Sequence, residues 1–302
     1  MNLQYIGRRG FLADAGAFSL CAGCLTARDR PVVTFGMTAD VHYADIDDRI
    51  GRHYRDAADR LAECVVKMNE LRPDFLIELG DFKDLGPTPD ATLEGLRRIE
   101  RVFAGFRGPR YHVLGNHDCD ALTPQEFMAE VRDGGRIPVR TFYRFDVNGV
   151  TFIVLDGCYT SDMRHYSRSN PWTDANVPPE ELDWLERELD SACGHTVIFC
   201  HQRMDPDAEV HHLLRNAEQV RGILERSGKV RAVFTGHQHD GGGCLLNDIR
   251  YLTLPSVVDD DECGRNSFAV ASVYGDGRVS VRGWHRVSEA LVRRSGCELG
   301  GV

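Results

Sequence analysis

Residues with the chemistry of metal ligands stand in five short blocks spread along the chain. In one-letter code the blocks are D-V-H at 40–42, G-D-F-K-D at 80–84, G-N-H-D at 115–118, a lone H at 201, and G-H-Q-H at 236–239. Imidazole together with carboxylate suits Mn, Fe, Zn or Ni, whereas sites made only of oxygen ligands suit Mg or Ca. Side chains two residues apart on an extended chain point to the same side, so the D-x-H and H-x-H pairs can each converge on one ion. The blocks therefore predict a transition-metal site.

A pair of metal ions suits one kind of chemistry in particular. Two ions roughly 3.5–4 Å apart need a carboxylate that bridges them, and together they clamp the attacking and leaving oxygens of a phosphoryl centre. Glycines at 80, 115 and 236 stand beside the polar residues, where they let the backbone turn sharply close to a site. Two metals in such a site would suit chemistry at a phosphoryl centre.

Each block follows a short apolar segment that predicts a buried strand. The predicted strands are Val32–Thr38, Asp74–Leu79, Arg110–Leu114, Thr196–Cys200 and Val230–Thr235. In open α/β sheets, ligands bind at the carboxyl ends of the strands, and the blocks stand at those ends. We therefore expect the blocks to meet at one edge of the sheet structure.

Helical patterns alternate with these strands. Apolar residues recur at helical spacing over 52–71, 93–103 and 178–192, and a capping box at 123–126 predicts a further helix start. Asn148-Gly149 indicates a hairpin, and the C-terminal third is rich in hairpins. We predict an α/β domain with mixed sheets over residues 31–290, followed by a C-terminal tail at 291–302. The connection at 157–179 has a length that is usually functional or disordered.

The charge balance argues against one class of partner. The chain has 302 residues with 46 Asp and Glu against 36 Lys and Arg, which gives a formal net charge of −10. Proteins that coat nucleic acid neutralise its phosphates with Lys and Arg, so no long nucleic acid is expected as a partner. No apolar run reaches the roughly 18 residues that a membrane-spanning helix needs. The oligomeric state stays open.

The first 30 residues resemble an export leader. Arg8-Arg9 precede the modestly apolar stretch Ala13–Ala27, as in a twin-arginine signal, and Cys21 to Cys24 resembles a lipoprotein processing site in which Cys24 is lipidated. We predict an exported protein, either periplasmic or anchored to the membrane only through a lipid on Cys24. A cytosolic N-terminus is the alternative.

In their order, the five blocks resemble those of the calcineurin-like metallophosphoesterase family. The resemblance spans residues 32 to about 285. It implies a four-layer αββα sandwich of two mixed sheets flanked by helices, with two divalent metal ions (Mn, Fe or Zn) at the strand ends. A hydroxide between the metals would attack phosphorus in line.

The resemblance also implies a role for individual residues. One metal would be held by Asp40, His42 and His239, the other by Asn116, His201 and His237, with Asp81 bridging the two. His117 would protonate the leaving alkoxide, and Asp84 would orient His117, with Asp118 as the competing orienter.

His211 and His212 are predicted to be solvated residues of a helix.

Differences between these motifs and those of other branches of the family narrow the class of substrate. Purple acid phosphatases carry a Tyr where this chain has Asp84, and Leu85-Gly86 departs from the protein Ser/Thr phosphatases. The segments 143–149 and 156–159 resemble the manganese-dependent ADP-ribose/CDP-alcohol diphosphatase and cyclic-nucleotide phosphodiesterase branch. This implies a small, nucleotide-derived phosphodiester or pyrophosphate substrate.

Three residues of the long connection, Arg164, Arg168 and Trp172, are candidates for phosphate and base contacts. A phosphomonoesterase, and beyond it a nuclease or an inactive metal-binding module, remain the alternatives.

Overall fold

The computed structural model describes residues 30–261 and 264–301, so the predicted leader with Cys24 lies outside the described residues. The strands, in chain order, are β1 Pro31–Thr38, β2 Phe75–Glu78, β3 Arg110–His112, β4 Tyr143–Val147, β5 Val150–Val154, β6 Thr196–Phe199, β7 Val230–Thr235, β8 Gly242–Leu246, β9 Ile249–Thr253, β10 Asp260–Asp261, β11 Gly264–Arg265, β12 Ser267–Tyr274, β13 Val279–His285 and β14 Glu298–Leu299. The helices are α1 Ala57–Leu71, α2 Pro89–Phe103, α3 Pro124–Glu130, α4 Pro179–Ser191, α5 Ala217–Ser227 and α6 Glu289–Arg294, with short 3₁₀ helices at His117–Cys119 and Val210–His212.

Two six-stranded mixed sheets form the centre of the fold. Their strand orders are β14-β13-β12-β1-β2-β3 and β4-β5-β6-β7-β9-β8. Strands β1 to β3 are parallel to one another, as are β5, β6, β7 and β9, while β12, β4 and β8 pair antiparallel with their neighbours. The parallel strands deliver their carboxyl ends to the same edge of each sheet.

Aromatic side chains fill the space between the two sheets. The ring of Phe35 on β1 lies 5.4, 5.6 and 5.7 Å from the rings of Phe152, Phe199 and Phe234 on the other sheet, each in an edge-to-face arrangement. This geometry adds favourable electrostatics to the burial of large apolar surface. The packing holds the two sheets face to face, so that their carboxyl edges lie together.

Helices cover the outer faces of both sheets. Leu61 of α1, Leu96 of α2 and Phe127 of α3 belong to one buried cluster with Leu76 of β2. A second buried cluster joins apolar residues of α4 and α5 to β5 and β6. The layers therefore run helix, sheet, sheet, helix, which confirms the predicted αββα sandwich.

The first predicted helix begins later than its apolar spacing suggested. The prediction was 52–71, but α1 begins at Ala57, because tertiary contacts hold the preceding segment as a loop. Arg52 exchanges backbone hydrogen bonds with Arg49 and forms an isolated bridge with Asp259, far along the chain. The residues before α1 are thereby kept beside the strand ends.

The segment predicted as a C-terminal tail is part of the domain. β14 pairs in parallel with β13, and Leu291, Val292 and Cys297 are buried in the cluster between the sheets. The prediction of a separate tail at 291–302 was wrong for the residues up to 301 that the structure describes, because their apolar side chains complete the edge of a sheet.

Within the described residues, no helix combines the length and apolar character needed to cross a membrane. The cysteines of this part of the chain at 64, 119, 158, 193, 200, 244 and 297 are free thiols.

Candidate metal centre

Backbone hydrogen bonds bring the polar blocks together at the carboxyl edges of the sheets. In the first sheet, His42 N–H donates to the Asp81 carbonyl oxygen at 2.8 Å, which joins the loops after β1 and β2. In the second sheet, Gly236 N–H donates to the His201 carbonyl oxygen at 3.1 Å. The two sheets meet where His237 N–H donates to the Asp40 carboxylate at 3.0 Å. The expectation that the blocks share one edge is confirmed.

Four of the predicted ligands adopt left-handed backbone conformations. Their φ angles are 53° at Asp40, 46° at His42, 54° at Asp81 and 68° at His237. A side chain in this region costs about 1–3 kcal/mol, and such residues persist only where their surroundings hold them. Here the left-handed backbone conformation turns the ligands out of the strand direction and toward a common point.

Asp118 holds the loops after β2 and β3 in place. Its buried carboxylate accepts N–H groups of Asp81 and Phe82 at 3.0 Å and of Gly115 at 2.9 Å. Gly115 must be glycine, because a Cβ there would lie 2.2 Å from the Asp81 nitrogen. The role considered for Asp118 as an orienter of His117 was wrong, since its carboxylate is turned to the backbone by the 3₁₀ helix.

The first ligand group consists of Asp40, His42 and His239, whose donor atoms lie within 4.8 Å of one another. The Nε2 atoms of His42 and His239 are 3.2 Å apart, and Asp40 Oδ1 lies 3.8 and 3.6 Å from them. All three side chains therefore present their donor atoms to the same small volume.

The second ligand group consists of Asp81, His201 and His237. His201 Nε2 lies 3.1 Å from both Asp81 Oδ2 and His237 Nδ1. The buried Asn116 Oδ1 has no hydrogen-bond partner among the described residues, which an oxygen ligand to a cation would explain. Asp81 Oδ2 also lies 3.5 Å from His42 Nε2, so this one oxygen faces both groups.

The other ring nitrogens of the histidines are held by acceptors. His42 Nδ1 lies 3.0 Å from Asp84 Oδ2, His201 Nδ1 lies 2.8 Å from the Leu79 carbonyl oxygen, and His239 Nδ1 contacts the Asp259 carboxylate. A proton on each of these nitrogens leaves the lone pair of Nε2 directed at the centre. This is the arrangement by which proteins orient histidine ligands of metals.

The electrostatics of the centre favour a positive ion. Burial raises the pKa of Asp40 and lowers the pKa of His42 to about 3, so His42 is a neutral imidazole. Burial also tends to lower the pKa of His201, but the Asp81 carboxylate outweighs it and raises that pKa to about 9. Positive charge is thus stabilised between the buried carboxylates. Imidazoles, carboxylates and an amide oxygen in two adjoining groups fit two divalent cations of the Mn, Fe or Zn class.

His117 stands beside the first group with its ring partly exposed. Its ring centroid lies 4.6 Å from that of His42, and its Nδ1 lies 3.5 Å from Asp84 Oδ1 and 3.4 Å from Asp120 Oδ2. Burial lowers the pKa of His117, but Asp81, Asp120 and Asp84 together raise it to about 10. Asp84, the predicted partner of His117, therefore lies beside it. Asp120 was not predicted, although its position three residues after His117 is a signal that could have indicated it.

A cavity of about 560 Å³ opens over the metal centre. It is lined by Asp81, Asn116, His117, His237 and His239 of the blocks, and by residues of other segments that include Arg52, Trp172, Glu209, His212 and Arg286. The ring centroid of Trp172 lies 5.5 Å from that of His237 and 5.4 Å from that of His212. The long connection therefore brings Trp172 to the cavity.

The structure does not bring the other two candidates of that connection to the cavity. Arg164 is exposed and paired with the Asp162 carboxylate, and Arg168 is exposed on the surface. The arginines that line the cavity are Arg52 and Arg286, which the sequence reading missed because both come from other segments. His212, predicted to be solvated, is half-buried and lines the cavity, whereas His211 is exposed as predicted.

Asp259 is a partner of a ligand, and its removal tests the centre. Its carboxylate accepts from His239 Nδ1 and from Ser256 Oγ at 2.8 Å. We expect Asp259→Asn to weaken metal binding roughly 10- to 100-fold, because His239 loses the charge that fixes its tautomer and ring orientation. Metal titration of the metal-stripped protein by calorimetry measures this. Asp276→Asn, which changes an exposed turn, is the matched control, and equal affinities for both variants would contradict the prediction.

Comparisons with known proteins show what this chain is similar to. A family model described as calcineurin-like phosphoesterase matches residues 33–241. A manganese-dependent ADP-ribose/CDP-alcohol diphosphatase of Arabidopsis thaliana is 28% identical over 87% of this chain and 97% of its own length. A 3',5'-cyclic-nucleotide phosphodiesterase of Nostoc sp. is 25% identical over 68% of this chain and 71% of its own. Among solved structures, a dimetal phosphatase from Danio rerio superposes with a TM-score of 0.73 at 24% identity, covering 86% of this chain and 98% of that one.

Proposed function

The chain belongs to the calcineurin-like phosphoesterase family, and we propose that it hydrolyses a pyrophosphate or phosphodiester bond in a small, nucleotide-derived substrate. It is a metal-dependent phosphoric ester hydrolase. The observation that carries the proposal is the cavity of about 560 Å³, which opens on the metal centre, His117 and Trp172 together. Sites for small molecules have volumes of roughly 300–1,000 Å³, so the cavity suits a nucleotide derivative.

The residues of the site divide into a metal-holding part and a part that handles the substrate. Asp40, His42 and His239 would hold one metal, and Asn116, His201 and His237 the other, with Asp81 shared between them. Metal ions held there supply Lewis-acid stabilisation of the phosphoryl oxygens and lower the pKa of water.

His117 is placed to donate a proton to the leaving oxygen. Its Nδ1 faces the carboxylates of Asp84 and Asp120, and its partly exposed side chain lines the cavity. With Nδ1 oriented in this way, Nε2 is the nitrogen available to the substrate. A protonated imidazole is the form that acts as a general acid, and the carboxylates of Asp84 and Asp120 beside Nδ1 favour that form.

The cavity walls support a substrate with a base and a second phosphate. Trp172 offers an aromatic face that is 42% exposed, and Arg52 offers a guanidinium 3.7 Å from Asp84 at the border of the metal centre. The Arabidopsis relative, nearly its whole length aligned with this chain, is named for ADP-ribose and CDP-alcohols. Both are nucleotide pyrophosphates, and they are the substrates that we favour. The net charge of −10 disfavours a long nucleic acid as the alternative.

Removal of the aromatic face should weaken substrate binding more than it slows the chemistry. Stacking of a base on an aromatic side chain is worth about 1–3 kcal/mol. We therefore expect Trp172→Ala to raise KM for a nucleotide pyrophosphate roughly tenfold with little change in kcat. Steady-state kinetics with an alkyl phosphodiester, which has no aromatic ring, provide the control. A similar rise in KM for that ester would argue against a base contact.

A panel of substrates tests the proposed function. The purified protein with added Mn²⁺ should hydrolyse ADP-ribose, CDP-alcohols or cyclic nucleotides with a higher kcat/KM than p-nitrophenyl phosphate. A strong preference for the monoester would establish the phosphomonoesterase alternative instead. Two bound metals without turnover of any ester would indicate an inactive metal-binding module, and cleavage of DNA with steep salt dependence would indicate a nuclease.

We further propose that the protein is exported, on the support of Arg8-Arg9 and the apolar stretch after them. Cys24 is then the candidate for a lipid anchor. Fractionation of cells that express the full chain tests both statements, since a periplasmic or membrane-bound product supports export and a cytosolic product of full length contradicts it.

A further inference from the structure

Lys83 is a fully buried lysine beside the metal centre for which the proposed mechanism has no use. Its ammonium group forms an ion pair with Asp120 Oδ1, and the exposed fractions of the two side chains are 0% and 6%. Burial of an ion costs several kcal/mol, which an ion pair offsets only with good geometry and further hydrogen bonds. A buried pair at this place therefore calls for an explanation.

The backbone around Lys83 is held from two sides. Lys83 N–H donates to Asp118 Oδ1 at 3.3 Å, and the residue forms a parallel bridge with Tyr43. The loops after β1, β2 and β3 thus converge on Lys83. Because its backbone is held, the ammonium group and the Asp120 carboxylate that it binds have defined positions.

The second oxygen of Asp120 faces the imidazole of His117. Asp120 Oδ2 lies 3.4 Å from His117 Nδ1, and Asp84 Oδ1 lies 3.5 Å from the same nitrogen. The two carboxylates are therefore equally near, and the distances alone do not decide which one orients the ring.

The other contacts of Asp84 favour Asp120. Asp84 Oδ1 accepts the N–H of Leu85 at 2.6 Å, and Asp84 Oδ2 lies 3.0 Å from His42 Nδ1. Both oxygens of Asp84 are thus engaged, one by backbone and one by a residue of the first ligand group. The ion pair with Lys83 occupies Asp120 Oδ1 and turns Oδ2 toward His117.

We propose that Lys83 and Asp120 form a positioning pair for His117. Asp120 accepts the Nδ1–H of His117 and thereby directs Nε2 into the cavity, while Lys83 holds Asp120 and compensates its charge. Asp84, which lies 3.5 Å from the same nitrogen, also contacts His42 Nδ1. The inference rests on the proposed function in one respect, namely that His117 is the proton donor to the leaving group.

Asp120→Asn is the variant that tests the pair by kinetics. With a 3',5'-cyclic nucleotide, whose leaving group is an alkoxide that needs a proton, we expect kcat to fall on the order of tenfold with KM little changed. With bis(p-nitrophenyl) phosphate, whose leaving group departs without a proton, kcat should change little. Metal content should stay that of the wild type, which separates this variant from Asp84→Asn, where His42 loses its partner.

A double variant separates positioning from a purely structural role. If Asp120 acts through His117, Asp120→Asn should cause no further loss in a His117→Ala background, because residues that act as a unit are not additive. Asp276→Asn, in an exposed turn, is the control for removal of a carboxylate. Equal losses with both leaving groups, or an undiminished loss in the His117→Ala background, would overturn the proposal.

A spectroscopic readout decides the question independently of turnover. In protein labelled with ¹⁵N-histidine, Asp120→Asn should shift the Nδ1–H resonance of His117, and Lys83→Met should shift the same resonance without removing metal. An unchanged resonance in both variants would show that His117 has another partner and would overturn the positioning pair. If the wild type hydrolyses none of the esters but the resonance shifts, the proposed function fails and the pair stands.

Discussion

Asp81→Ala should remove both metal ions and the hydrolase activity together. Asp81 Oδ2 lies 3.5 Å from His42 Nε2 and 3.1 Å from His201 Nε2, so one oxygen serves both ligand groups. Its loss leaves the first group with Asp40 as its one carboxylate and the second group with none, and neutral ligands hold a divalent ion weakly. The charge stabilisation that catalytic metals supply is several kcal/mol, so we expect kcat/KM to fall by roughly 10³-fold or more.

Elemental analysis of the purified variant, with turnover of the favoured pyrophosphate, measures both effects. Asp81→Asn serves as the conservative comparison, because its amide oxygen can still accept the N–H of His117, which the wild-type Oδ1 accepts at 2.7 Å. It should also lose metal, since it lacks the charge. Thermal unfolding identifies a variant that has failed to fold. A folded Asp81→Ala protein with two tightly bound metals would contradict the assignment of Asp81 as the bridge.

His117→Ala should slow the reaction by an amount that depends on the leaving group. General acids contribute roughly 10²- to 10⁴-fold, and we expect a loss of that size with a 3',5'-cyclic nucleotide, whose leaving oxygen is an alkoxide that needs a proton. With bis(p-nitrophenyl) phosphate the loss should be small, because p-nitrophenolate departs without a proton. His117 is not one of the predicted ligands, so the metal content should stay that of the wild type.

The measurement is the ratio of kcat values for the two substrates in the wild type and the variant. His211→Ala provides a matched control, because His211 is an exposed histidine that does not line the cavity. Equal slowing with both leaving groups would count against a role in protonation. A loss of metal together with activity would assign His117 to the metal centre instead.

The strands and the polar blocks at their ends could be predicted from the chain because both signals are local. A β-branched apolar run such as 32–38 predicts a buried strand wherever it occurs, and β1 forms at Pro31–Thr38. The carboxylates and imidazoles of the blocks carry their metal preference in the side chain itself. Their order along the chain indicated the family, and with it the αββα sandwich that the structure confirms.

Partners of the site that lie far apart along the chain could not be predicted in this way. Asp259 reaches His239 across twenty residues, and Asp120 meets Lys83 across 37. Arg52 stands in the cavity because the loop before α1 is bridged to Asp259, where helical spacing alone extended the helix to 52. No local pattern contains these contacts, because they depend on which loops the sheets bring together.

The long connection at 157–179 shows this difference between local signals and long-range contacts within a single segment. Its sequence offered Arg164, Arg168 and Trp172 alike, and only Trp172 lines the cavity. The chain by itself therefore determined the α/β class and the chemistry of the metal ligands, because these follow from residue type and short-range spacing, and its resemblance to a known family indicated the sandwich and the type of reaction. The tertiary structure alone decided which carboxylates lie beside His117 and His239 and which side chains line the cavity, because those contacts arise only when the two sheets pack and place their loops at a common edge.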